Sequence, residues 1–336
     1  MNRRLVVHLL GRLLLLTAVF LGAPVLTAAI FSEPMWPYVA SLVIAGGIGA
    51  TVVSLSRPTS TNIRPRDGFL IVGGSWLAVS FVGALPYLMT GVLGPADALF
   101  ESISGFTTTG STVIGDVSVV PRALLLWRAL SQWLGGMGII LFTIAILPLL
   151  GIGGMQLFKA EVPGPVVDKV RPRLAATARS LWGIYVGLTA IELGLLKVAG
   201  MTWYEALCHA LTTLPTGGFS TLNTSLGEFG SPAIEWIITV FMLLAGINFV
   251  LHYRLLTGRG REVWKDVELR YFLGVVGVAI TVLTVSTYSA GDHILDTIRA
   301  AAFQTASILT TTGYATVDFE VWPSLALIVL LILMVL

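Results

Sequence analysis

Three short stretches of this chain carry residue types that could hold a desolvated cation. They are Ser102-Ile103-Ser104-Gly105-Phe106-Thr107-Thr108-Thr109-Gly110-Ser111-Thr112, Leu214-Pro215-Thr216-Gly217-Gly218-Phe219-Ser220-Thr221 and Leu309-Thr310-Thr311-Thr312-Gly313-Tyr314-Ala315-Thr316. A monovalent cation that sheds its water needs several oxygens in return, and carbonyls or hydroxyls on a pore axis supply them. Glycine gives the backbone access to positive φ, so successive carbonyls can turn towards one line. Threonine adds a hydroxyl and a stiff χ1 that holds the carbonyls in place. No full charge lies within any of the three loops, which suits exit of the ion as well as entry. A ring of Asp or Glu would instead suit a divalent cation or a less selective pore. Carboxylates do stand nearby: Asp97, Glu101, Asp116 and Glu205 are expected at the mouth, where they would concentrate cations.

Small residues also let membrane helices pack closely, and a single Thr/Gly loop would be read that way. The repetition argues for more. Aligned on Gly110, Gly218 and Gly313, which are 108 and 95 residues apart, the loops fall into register. Ala98, Ala206 and Ala301 share one column, Ser104, Thr212 and Ser307 a second, Phe106, Leu214 and Leu309 a third, and Thr108, Thr216 and Thr311 a fourth. Pro121, Pro232 and Pro323 each open the next apolar run, where proline suits the first turn of a helix. Each unit therefore reads as outer helix, half-length helix, glycine turn and inner helix. The half-helices, expected over 97–106, 204–214 and 296–309, are too short to span. Such a re-entrant segment must be enclosed by protein or line water, because its unpaired backbone groups cannot face lipid. Its C-terminal, partially negative end would point at the ion. Copies of one orientation are best satisfied around a common axis normal to the membrane, and a fourth copy would close such a ring.

The elements that must carry these loops are membrane spans. Hydrophobic residues make up 55% of the 336 and charged residues 11%, with a mean hydropathy of +0.88; a soluble domain carries about twice that charge fraction. Seven stretches are long and apolar enough to cross: 12–31, 37–56, 68–93, 122–150, 177–200, 233–256 and 271–290. An eighth begins near Trp322 and is uncharged to Leu336, and the expectation is a C-terminally truncated fragment. The start, Met1-Asn2-Arg3-Arg4, has the look of a signal peptide, but Arg12 and the length of the apolar run fit an uncleaved first span better. With the N-terminus in the cytoplasm, 16 of the 20 Lys and Arg fall on the inner side and all three loops enter from outside. Only Arg122, Arg128, Lys197 and Arg299 remain for the outer half.

Other chemistry finds little support. A net charge of +2 without a basic cluster argues against nucleic acid. The single cysteine, Cys208, excludes a disulfide within the chain and a Cys-based metal cage. His8, His209, His252 and His293 lack metal-ligand spacing, and His209 reads as a packing or hydrogen-bonding residue of the second half-helix. Glu192 in an outer helix fits either an interhelical hydrogen bond or a subunit contact. Gly46-Gly47-x-Gly49, Gly135-Gly136-x-Gly138 and Gly183-x-x-x-Gly187 suggest close helix approach. An intramembrane enzyme would need a nucleophile with a base, or paired acids, at membrane depth. The sequence has no Gly-x-Ser-x-Gly, no His-Glu-x-x-His and no paired intramembrane aspartates. An alternating-access cation carrier would favour inverted repeats, whereas these share one orientation.

The loops, the run Trp127-Arg128-Ala129-Leu130-Ser131-Gln132-Trp133-Leu134-Gly135-Gly136-Met137-Gly138-Ile139-Ile140 and the linker Gly153-Gly154-Met155-Gln156-Leu157-Phe158-Lys159-Ala160-Glu161 resemble the Trk/Ktr/HKT superfamily, in particular its bacterial Trk-type potassium uptake branch. The resemblance covers nearly the whole chain. It implies an all-α membrane protein of repeated outer helix/re-entrant pore helix/inner helix units around a pseudo-fourfold axis, here with the fourth repeat absent. It divides the chain into two extra N-terminal helices with a basic loop (1–66), a first pore repeat with cytoplasmic linker (67–175), a second (176–270) and a third cut short in its inner helix (271–336). The filter glycines implied are Gly110, Gly218 and Gly313, with carbonyls of Thr108, Thr109, Thr216, Gly217, Thr311 and Thr312 as ligands. Glycine at all three positions implies potassium, since serine at the first goes with sodium preference in plant relatives. The gate implied below the filter would lie past Leu336, so three repeats alone are not expected to conduct. Further implications are potassium uptake without an organic cofactor, a multi-pass protein of the bacterial inner membrane, a homodimer, and docking of a cytoplasmic nucleotide-binding regulatory subunit on the basic linkers 151–175 and 257–270.

Overall fold

The computed structural model describes residues 2–58, 65–146, 167–289 and 293–336, and all regular structure among them is helical. Helices are what an apolar solvent demands, because each satisfies its own backbone donors and acceptors. Large apolar side chains point outward along them, Val19, Leu55, Val198 and Val278 among many, as a lipid-facing surface requires. Five helical stretches are long and apolar enough to cross a bilayer among the described residues: Arg3–Ile30, Trp36–Leu55, Arg66–Thr90, Ala178–Val198 and Val267–Thr287. The chain divides into two compact units, Met1–Arg179 and Ser180–Leu336.

In the first unit, α1 (Arg3–Phe20) and α2 (Gly22–Ile30) make one span. It starts at Arg3 rather than near residue 12, because the Asn2 side chain caps it by accepting from the Leu5 N–H (3.2 Å). Helix α3 (Trp36–Leu55) lies against α1, and Gly49 makes the approach possible: a Cβ there would stand 3.0 Å from the Gly11 carbonyl oxygen. Gly47 meets nothing within 4 Å among the described residues. Helices α4 (Pro65–Gly83) and α5 (Leu85–Thr90) form the next span. Then comes α6 (Pro95–Phe106), whose 12 residues rise only about 18 Å against ~30 Å of hydrocarbon. Helix α7 (Arg122–Ile146) follows, its first N–H groups capped from afar by Glu33, which accepts from Arg122 (2.8 Å) and Ala123 (3.0 Å).

Two glycines seat α6. A Cβ at Gly135 would lie 1.9 Å from the Phe106 carbonyl oxygen, and one at Gly83 2.4 Å from the Phe106 ring. The indole N–H of buried Trp127 donates to the Gly83 carbonyl (2.9 Å), and its ring meets Phe106 edge-on at 6.1 Å. Ser102 Oγ donates to the Ser80 carbonyl (2.8 Å), so α4, α6 and α7 are joined by polar bonds as well as packing.

The boundary between the units falls within α8 (Val167–Val198). In the second unit, α9 (Trp203–Thr213) is a half-length helix opened by a capping box between Thr202 and Glu205. Glu205 thus caps a helix. Helix α10 (Pro232–Gly246) and α11 (Phe249–Leu256) are bent by 98°, which corrects the single span expected over 233–256. Ile247 is extended, the Asn248 side chain caps α11 by accepting from the Val250 N–H (3.0 Å), and His252 Nε2 donates to the Leu244 carbonyl (2.9 Å). Helices α12 (Gly260–Lys265), α13 (Val267–Thr287), the half-length α14 (Ile294–Leu309) and α15 (Ser324–Leu333) complete the unit. One core joins Leu196, Met201, Ile238 and Met242 to Phe303 and Tyr314; another joins Leu283, Ala301 and Leu330. Gly183 and Gly187 meet nothing within 4 Å among the described residues, so the close approach expected there is not seen.

Candidate functional site

Each half-helix ends in the same hydrogen-bonded cap. In the first loop Thr108 N–H donates to the Gly105 carbonyl (3.0 Å) and Thr109 N–H to Ser104 (2.9 Å). In the second, Thr216 donates to Thr213 (2.9 Å) and Gly217 to Thr212 (3.0 Å). In the third, Thr311 donates to Ile308 (3.0 Å) and Thr312 to Ser307 (2.9 Å). This is the Schellman pattern, whose left-handed position usually belongs to glycine. Here it is threonine every time, with φ of 56° at Thr108, 54° at Thr216 and 57° at Thr311. A left-handed β-branched residue is an outlier that its surroundings must hold in place.

Two residues on, the backbone turns left-handed again: φ is 78° at Gly110, 72° at Gly218 and 83° at Gly313. Thr109, Gly217 and Thr312 between them are not of positive φ. Alternation of this kind swings successive peptide planes so that their carbonyls leave the helix ladder. Among the described residues no hydrogen bond ends on the carbonyls of Thr108, Thr109, Thr216, Thr311 or Thr312. Backbone acceptors at membrane depth need a partner, and a cation is one that fits a cluster of neutral oxygens.

The side chains brace the loops. Ser104 Oγ donates to the Ser111 carbonyl (2.5 Å) and Ser307 Oγ to the Tyr314 carbonyl (2.6 Å), equivalent bonds one residue past each glycine. Thr107 and Thr109 share a hydroxyl–hydroxyl bond of 2.8 Å, as do Thr310 and Thr312. Within the second unit the second and third loops adjoin. A Cβ on Gly218 would stand 1.8 Å from the Thr312 carbonyl oxygen, and the hydroxyls of Thr212 and Tyr314 are hydrogen-bonded. Gly218 is therefore required twice, for its φ and for this approach.

Glu101 corrects the expectation of a cation-gathering carboxylate at the mouth. It is fully buried and ion-paired to Arg128 (Nε–Oε1 2.8 Å), itself 2% exposed. The Glu101 carboxylate also accepts from Thr112 Oγ1 (2.9 and 3.1 Å) and the Val113 N–H (3.1 Å). A carboxylate and a guanidinium 27 positions apart on two different helices carry no cue to pairing in the sequence. Asp97 is exposed, and Asp116 caps a short turn through the Ser118 N–H (2.9 Å). His209 has the structural role expected: Nδ1 donates to the Glu205 carbonyl (2.8 Å) and Nε2 lies 3.1 Å from Ser220 Oγ. Glu192 is buried beside Thr213 of α9. Of the basic linker expected over 151–175, residues 151–166 lie outside the described residues, and 167–175 form the start of α8. No group of three or more metal-ligating side chains occurs among the described residues.

Residues 38–336 match the family model described as TrkH, cation transport protein. The chain is 40% identical over 331 residues to the Trk system potassium uptake protein TrkH of Halomonas elongata, covering 96% of this chain and 68% of that protein. It is 41% identical over 330 residues to TrkH of Escherichia coli, with the same coverage. The crystal structure of the potassium transporter TrkH from Vibrio parahaemolyticus superimposes with a TM-score of 0.89 at 36% identity, covering 99% of this chain and 70% of that one.

Proposed function

We infer that this chain, which belongs to the TrkH family of cation transport proteins, moves potassium across a membrane by way of its three threonine–glycine loops. Its function is potassium transmembrane transport, and it is a multi-pass membrane protein. The observation that carries the loop assignment is the cap repeated at Thr108, Thr216 and Thr311, which leaves neutral carbonyls without a hydrogen bond among the described residues. The ligands assigned are Thr108, Thr109, Gly110, Thr216, Gly217, Gly218, Thr311, Thr312 and Gly313. Potassium, more weakly hydrated than sodium, is the ion that such uncharged oxygens can strip of water and still release.

Family membership and the charge pattern support the remaining assignments, which we propose with it. The protein is a transporter and not an enzyme, takes no organic cofactor, and resides in a bacterial inner membrane with its N-terminus in the cytoplasm. It is organised as two N-terminal helices (1–66) and pore repeats over 67–175, 176–270 and 271–336. It forms a homodimer and docks a cytoplasmic nucleotide-binding subunit on its basic linkers; Arg171 and Arg173 reversed in charge should abolish co-purification of that subunit. Rubidium flux into vesicles holding the full-length protein tests the central assignment. Flux that unlabelled potassium outcompetes supports it, and a flux-free vesicle with correctly inserted protein refutes it.

A further inference from the structure

We propose that Glu101 and Arg128 are positioning residues for cation choice, a buried ion pair that clamps the outer limb of the first loop and so sets where its carbonyls stand. The proposal rests on the reading of the loops as the cation path. Nine residues before Gly110, Gly218 and Gly313 stand Glu101, His209 and Gln304, one equivalent position in three half-helices, and all are buried. Two residues after the same glycines stand Thr112, Ser220 and Ala315.

In the first loop these positions are tied by charge. Thr112 Oγ1 donates to the Glu101 carboxylate and accepts from Arg128 Nη2 (3.2 Å) and the Ile114 N–H (3.1 Å), while Glu101 also holds the Val113 N–H (3.1 Å). In the second loop the tie is neutral: His209 Nε2 meets Ser220 Oγ at 3.1 Å, and Leu222 N–H donates to that hydroxyl (3.1 Å) as Ile114 does to Thr112. In the third loop alanine removes the hydroxyl, and Gln304 Oε1 is buried without a hydrogen bond among the described residues. Ala315 is bonded sideways instead, its N–H to Ser225 Oγ (3.2 Å) and its carbonyl to the Leu226 N–H (3.0 Å). The three loops share a cap and differ in their anchor, and among the described residues only the first is anchored by ions.

A charge-assisted network out of water is stiff, because its bonds are short, strong and unrelieved by solvent. Stiffness matters to a filter, since oxygens free to close around a smaller ion no longer favour the larger. A pair that served stability alone would leave the ratio of ions unchanged whenever the protein folded. The test compares potassium and sodium uptake by the full-length protein in cells lacking other potassium uptake, for wild type, Thr112→Val, Thr112→Ser and Arg128→Lys. The expected result is that T112S keeps the wild-type ratio within about twofold, whereas T112V and R128K, at normal membrane yield and elution volume, lower it about tenfold. T112V with an unchanged ratio overturns the proposal, even if R128K fails to fold. A wild type without preference for potassium would overturn the filter reading itself, a separate outcome.

Discussion

Threonine at the left-handed position of a helix cap is a costly choice, of order 1–3 kcal/mol each, and it is made at Thr108, Thr216 and Thr311 alike. Glycine would relieve the strain, so its absence argues that the branched side chain is needed to stiffen the turn. Thr216→Gly should therefore raise the melting temperature of the detergent-solubilised protein while lowering its preference for potassium over sodium. A variant both less stable and equally selective would contradict that account. Gly218→Ser should abolish uptake, because its Cβ would collide with the Thr312 carbonyl oxygen, 1.8 Å away; uptake at the wild-type rate would show that the two loops do not meet as described. The glycines themselves were legible, since a turn of repeated carbonyls calls for positive φ. The left-handed threonines were not, because β-branched residues are the ones least expected there. Nor was the burial of Glu101, whose partner comes from another helix.

At the scale of elements, the half-helices were readable almost to the residue: 97–106 expected against Pro95–Phe106, and 296–309 against Ile294–Leu309. Proline opens the first and a capping box the second, while the third begins after His293 without a side-chain cap; the Thr/Gly loop stops all three. The bend between α10 and α11 was missed because hydropathy counts apolar residues and is blind to backbone direction. Gly246 followed by the cap-former Asn248 was the available signal. His252→Phe removes the donor to the Leu244 carbonyl and should lower stability by about 1 kcal/mol, read as an earlier thermal transition; an unchanged transition would mean the bend holds without that bond. Gly135→Ala places a methyl 1.9 Å from the Phe106 carbonyl oxygen and should unseat α6, costing about 1–3 kcal/mol. Gly138→Ala, whose Cβ would meet Trp76 at 3.6 Å, is the control expected to be neutral.

For the molecule as a whole, composition and the placement of Lys and Arg were enough to read a multi-pass membrane protein, and the family comparison agrees. What composition cannot supply is the ion, because potassium and sodium carry the same charge and differ only in size and hydration. On the proposed function, that discrimination comes from oxygen positions set over the length of the loops. The most direct measurement is the potassium-to-sodium flux ratio of the full-length protein in vesicles, wild type against Gly110→Ser. A ratio well above one in the wild type that falls sharply in the variant is the predicted result. The same ratio in both proteins would contradict the assignment of the threonine–glycine loops as the filter.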